Sequence, residues 1–175
     1  PGRTAQETAA VVEAARRHDL LLEVDLSYRF TAGMQRIREL IQQGEIGEVY
    51  AADLAFHNAY GPDKEWFYDV SRSGGGCVMD LGIHLVDLAL EVARAHEALL
   101  LFAGGKRLRR NDGVVEDFGT GRLDLSTGAA VQFACSWRLP AGRDARIQAT
   151  FYGTEGGLRF RNVNGSFYDF VAERF

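Results

Sequence analysis

Long apolar runs are absent from this 175-residue chain. None approaches the roughly 20 residues needed to cross a bilayer, so no membrane partner is expected. Cysteine is scarce. The only two, Cys77 and Cys135, are far apart with no metal-type spacing, which indicates no disulfide framework and makes the reducing cytoplasm the expected location. A basic excess is also lacking: 20 Lys and Arg against 24 Asp and Glu leave a net charge of -4. That balance argues against nucleic acid as the main partner, because phosphate binding needs a basic surface. The single basic run, Lys106, Arg107, Arg109 and Arg110, reads as a solvated loop or strand end. No G-x-G-x-x-G follows a strand, and no Lys-Ser/Thr follows the one glycine run, so a dinucleotide fingerprint and a phosphate-binding loop are both missing. A signal peptide and an initiator methionine are missing too. The chain opens Pro1-Gly2-Arg3-Thr4 and enters a helix at once, an opening that reads as a piece of a longer protein.

What is present is an ordinary globular mixture, 46% hydrophobic and 25% charged. Thr4-Ala5-Gln6-Glu7 is a capping box ahead of an Ala-rich helix to about His18. Residues 20–26 predict a short Leu- and Val-rich strand. A second helix is expected over 31–43, with Met34, Ile37, Leu40 and Ile41 at helical spacing and Gly44 as its stop. A strand over 48–58 and a loop with Gly61, Pro62, Trp66 and Phe67 follow, and Ser73-Gly74-Gly75-Gly76 then opens a third helix over 77–93. Beyond it come strands only, over 98–103, 118–125, 130–137, 146–152, 158–161 and 167–171, separated by turns such as Ser126-Thr127-Gly128 and Asn164-Gly165. Helices first and strands afterwards argue for an α+β fold, an open, mostly antiparallel sheet with helices on one face. Phe118, Val131, Phe133, Trp137, Phe151 and Phe160 are more apolar than a wet sheet face needs, which predicts a homodimer or homotetramer through the sheet.

The third helix carries the candidate chemistry. Asp80, His84, Asp87 and Glu91 lie at i, i+4, i+7 and i+11, one stripe on an otherwise apolar helix. A carboxylate one turn from a His favours the imidazolium and orients the ring for proton transfer. The stripe also reads as a plain solvent face. Two features favour function: the helix is entered through three glycines, where a ligand can approach the backbone, and an aromatic loop precedes it. Asp80 and His84 with His57 or Asp87 form a competing metal reading, but spacing fixes no third ligand and no metal is expected. Trp66 and Tyr60 suit stacking on a sugar ring or anchoring the loop, and His57 is equally open.

Ser73 to Asp87 resembles the S-G-G-G-x-x-x-D-x-G-x-H-x-x-D signature of the Gfo/Idh/MocA oxidoreductases. Tyr28-Arg29-Phe30, Gly44-Glu45-Ile46-Gly47, Val115-Glu116-Asp117 and Phe151-Tyr152-Gly153-Thr154-Glu155-Gly156-Gly157 resemble further segments of that family, in the same order. The resemblance implies a C-terminal substrate-binding and oligomerisation domain over 27–175, with 1–26 as the last helix and strand of a Rossmann-type dinucleotide-binding unit. It implies NAD or NADP, bound mainly by that other unit, with Pro1 and Tyr28 near it. His84 would exchange a proton with a sugar or polyol hydroxyl, Asp80 would assist, and Trp66, Tyr60, His57 and Arg29 would border the substrate. A non-enzymatic sugar-sensing module on the same fold is the alternative.

Overall fold

Thr4 starts the first helix because its hydroxyl accepts the Glu7 N–H at 3.1 Å, while the Glu7 carboxylate reaches back to the Arg3 N–H at 2.8 Å. The first bond satisfies a donor that a helix start leaves open, and the second ties the residue before the cap to the first turn. The structure, a computed structural model, describes residues 2–94, 98–106 and 115–175. Pro1 and the basic residues Arg107, Arg109 and Arg110 lie outside the described residues. Helix α1 (Ala5–Arg17) buries no side chain. The strand expected over 20–26 does not form. The segment is unpaired and exposed, with Leu20 and Leu21 at 65% and 88%. A strand exists only by sharing hydrogen bonds with a neighbour, and the seven strands of the sheet complete their ladder without it.

A 3-10 turn (Ser27–Phe30) leads to helix α2 (Ala32–Gln42), capped by the Thr31 hydroxyl and anchored by buried Met34 and Ile37. The strands are β1 (Val49–Asn58), β2 (Ala98–Lys106), β3 (Phe118–Leu125), β4 (Ala130–Ser136), β5 (Ala145–Gly153), β6 (Gly156–Asn162) and β7 (Phe170–Arg174). They form one sheet in the order β2-β3-β4-β1-β5-β6-β7. Every pairing is antiparallel except β1 with β4. The α+β fold with an open, mostly antiparallel sheet is therefore the one observed. Strand β7 starts later than the expected residue 167. The Ser166 hydroxyl takes the N–H groups of Tyr168 and Asp169 at 3.1 Å each, and this local turn competes with strand pairing.

Alternation along β1 divides the two faces. Leu54 and Phe56 face the helices, in register with Phe133 and Cys135 on β4 and with Ala149 and Ile147 on β5. Asp53, Ala55 and His57 face the other way. That second face carries polar pairs: Tyr152 donates to Asp53 at 3.1 Å, and Arg161 pairs with Glu173 and Arg122 with Asp124. The expected apolar outer face is thus corrected. Val131, Phe133, Trp137, Phe151 and Phe160 are all buried on the helix side, and Phe118 alone of that group lies on the outer face, stacked at 6.5 Å on His57. Burying those five side chains inside the chain already removes their apolar area from water.

Candidate active site

The segment that displays the polar stripe is built around glycine. Asp69 caps a short helix, α3 (Val70–Ser73), which ends at Gly74 with a positive φ of 79°. At Gly76 a Cβ would lie 1.9 Å from the Glu116 carbonyl oxygen, so only glycine fits. Glu116 stitches this entry together. Its carboxylate accepts the N–H groups of Gly76 and Val78 at 3.1 and 3.0 Å, and its carbonyl accepts that of Cys77 at 2.9 Å. The sequence left room here for a ligand; at Gly76 the group that approaches is Glu116. Its negative charge also fills the place where backbone donors would otherwise meet a phosphate.

The helix expected over 77–93 then starts as a π-turn (Val78–Gly82) before continuing as α4 (Ile83–Ala93). Such turns recur at functional sites, and this one carries Asp80. That residue lines a cavity of about 570 Å³ together with Trp66, Phe67, Arg72, Gly75 and Met79. Trp66 stacks on Phe67 at 3.9 Å, forming an aromatic wall. The Trp137 indole N–H donates to Asp80 Oδ2 at 2.9 Å. His84 is half-buried behind Asp80, edge-on to Tyr28 at 5.2 Å and tilted against Phe56 at 6.0 Å. Its Nδ1 is buried with no hydrogen-bond partner among the described residues.

Burial decides the electrostatics. It pushes the Asp80 carboxyl above its ordinary value, against the Trp137 donor and the His84 charge. It pushes His84 below its ordinary value, against Asp80 and Asp25. The sequence reading had the carboxylate favouring the imidazolium; desolvation is the larger effect. His84 is therefore neutral near pH 7 and free to accept a proton. The unfolded chain binds a proton to this ring more readily than the folded one. Stability tied to His84 is thus present above the unfolded value of about 6.5 and is lost as pH falls from there through the folded value. A proton NMR titration of the ring should give a midpoint below 6.5; a midpoint above it would overturn this assignment.

The remaining candidates separate. Tyr28, expected near the cofactor, packs against His84, Phe56 and Phe170. Its hydroxyl is pushed up to about 12 by burial and by Asp25, Tyr168 and Asp80. Arg29 is committed elsewhere: it pairs with buried Asp87 and with Glu91, which also holds Arg38 at 2.8 Å. Seven residues along a helix carry Asp87 roughly 10 Å from Asp80, so the lower half of the stripe is an ion-pair cluster. Arg29→Met should cost on the order of 1–3 kcal/mol in chemical unfolding, since it leaves a buried carboxylate unpaired, and should spare ligand binding at the cavity. Weakened ligand binding with unchanged stability would return Arg29 to the substrate. His57 is buried on the opposite sheet face, its Nδ1 2.8 Å from the Ser136 hydroxyl; strand alternation sends it away from its neighbour Phe56 and from His84. Tyr60 is 53% exposed and leans on Phe167 at 6.2 Å, outside the lining of the Asp80 cavity. Trp137, Glu116 and Asp25 are the neighbours that sequence reasoning missed. Among the described residues, no group of three His, Cys, Asp or Glu side chains could hold a metal ion, and no helix is long and apolar enough to cross a membrane.

A mixed, mostly antiparallel sheet with helices on one face thus positions an acid in the lining of an aromatic-walled cavity, one helical turn from a His. The GFO/IDH/MocA C-terminal domain model matches residues 34–159, and the chain belongs to the Gfo/Idh/MocA oxidoreductase family. It is similar to the uncharacterized oxidoreductase YrbE of Bacillus subtilis (strain 168), with 26% identity over 94% of this chain and 49% of the relative. It is also similar to 1,5-anhydro-D-fructose reductase of Ensifer adhaerens, with 28% identity over 91% of this chain and 47% of the relative. Among solved structures, GenD2 from gentamicin A biosynthesis, in complex with NAD, superposes with a TM-score of 0.76 and 27% identity, over 89% of this chain and 46% of that one. The chain spans about half the length of these relatives.

Proposed function

We propose that this chain is the substrate-binding portion of an NAD(P)-dependent oxidoreductase acting on a sugar, polyol or related hydroxy compound, with Asp80 and His84 as its proton-transfer pair. The observation that carries the reading is Asp80 lining a cavity walled by Trp66 and Phe67, with a neutral, half-buried imidazole next along the helix. Stacked aromatic rings suit the apolar face of a sugar, and a carboxylate suits its hydroxyls. The sugar reductase among the relatives and the NAD-bound neighbour support the same class.

The described residues do not fit a dinucleotide's phosphates, because Glu116 occupies the one glycine-rich helix entrance. A separate dinucleotide-binding unit would hold NAD or NADP, and residues 1–26 belong with it. Helix α1 buries nothing here and the apolar residues 20–22 lie open, as a segment paired elsewhere would. Bound nicotinamide supplies hydride exchange. The chain's own residues supply the rest. Trp66 and Phe67 orient the ring, Asp80 binds a hydroxyl, and His84 takes the proton released when an alcohol becomes a carbonyl.

The test joins this chain to its dinucleotide-binding unit and follows nicotinamide reduction over a panel of sugars and polyols, alongside calorimetric binding of the same panel. Turnover that Asp80→Asn depresses is the expected result. Sugar binding with no turnover for any member would favour the sensing module instead.

A further inference from the structure

Trp137 is 1% exposed, yet its indole N–H spans from the end of β4 to the π-turn to reach Asp80 Oδ2 at 2.9 Å. The same ring is met edge-on by Phe67 at 6.2 Å and by Tyr68 at 5.6 Å. Those two belong to the 3-10 turn (Glu65–Tyr68) that carries Trp66. The Tyr68 hydroxyl donates to the Pro62 carbonyl at 2.9 Å and accepts from Arg138 at 3.1 Å, so the turn is clamped onto the indole. One buried side chain thus touches both the acid of the cavity and the element that supplies its aromatic wall. A neutral donor suits this task, because it orients a carboxylate without cancelling its charge.

We propose that Trp137 is a positioning residue of the site. Its N–H holds one oxygen of Asp80 and leaves the other to the cavity, and its ring sets the wall formed by Phe67 and Trp66. The proposal rests on the reading of Asp80 as a proton-transfer partner, but the hold on Asp80 is measured independently of turnover. The titratable groups facing Asp80 are His84 from α4 and Tyr28 from the turn before α2. Arg3, Glu7 and Arg72 line the same cavity.

Trp137→Phe keeps a ring against Phe67 and Tyr68 but removes the donor. A hydrogen bond to the ionised carboxylate favours that form, so the Asp80 midpoint, read by carbon NMR, should rise by about one unit. The acid limb of kcat/KM against pH should move with it, and KM should stay within about twofold. Trp137→Leu also removes the platform and should raise KM roughly tenfold, as expected for loss of an aromatic contact. In the unsubstituted protein the Trp137 indole proton resonance should follow the titration of Asp80, a readout that needs no variant to fold. An indole resonance indifferent to that titration, or an Asp80 midpoint unmoved in Trp137→Phe, would overturn the proposal. A shifted Asp80 midpoint together with normal turnover in His84→Ala would uphold the hold on Asp80 and overturn the proton-transfer reading instead.

Discussion

His84→Ala is expected to lower kcat by roughly 10²–10⁴-fold, the usual worth of a positioned acid–base group. The direction follows from the site's electrostatics. Oxidising an alcohol needs a base that is unprotonated at working pH, and burial keeps the His84 ring neutral. Its only neighbours among the described aromatics are Tyr28 and Phe56, neither of which can take over a proton near pH 7; Tyr28 in particular is pushed up to about 12. Substrate affinity should change little, because Trp66, Phe67 and Asp80 line the cavity without His84. Single-turnover kinetics with the complete enzyme, run across a pH series, separates the two. A kcat within a few-fold of the parent at every pH would make His84 a packing residue and leave Asp80 to act alone.

Gly76→Ala is expected to cost about 3 kcal/mol, the upper part of the range for overpacking, and to lower Tm by roughly 10 °C in a chain of this size. The added Cβ would stand 1.9 Å from a backbone oxygen of Glu116, and backbone cannot rotate aside as a side-chain tip can. The clash also opens the bonds from Gly76, Cys77 and Val78 to Glu116, which hold the start of the π-turn. Asp80 follows two residues later, so ligand affinity at the cavity should fall together with stability. Thermal unfolding and calorimetric titration of the purified variant check both. An unchanged Tm would mean that the glycine run is kept open for a ligand after all.

Much of the fold could be read along the chain because its determinants are local. The capping box at Thr4 to Glu7, the period of Met34 and Ile37, and the turns at Gly128 and Gly165 each act within a few residues, and each stands where the sequence puts it. Two of the errors of element share one cause: a strand depends on partners. Residues 20–26 have strand composition and no neighbour, and β7 yields its first positions to the Ser166 turn. The error of face has a related cause. Counting Phe133, Phe151 and Phe160 as apolar does not say which side of the sheet each one meets until the register is known.

The site divides the same way. Helical spacing alone placed Asp80, His84, Asp87 and Glu91 on one stripe, and the Gfo/Idh/MocA signature pointed to the first two. Only the tertiary structure divided that stripe. Arg29 and Arg38, arriving from residues more than fifty positions earlier, neutralise Asp87 and Glu91, while Trp137 reaches back fifty-seven positions to hold Asp80. It likewise sent His57 to the far face and lowered the affinity of His84 for its proton where sequence proximity to Asp80 argued for raising it. Periodicity is a property of neighbouring residues and is written in the chain. Burial, and the charge or donor that meets a side chain across the fold, depend on which distant segments pack together.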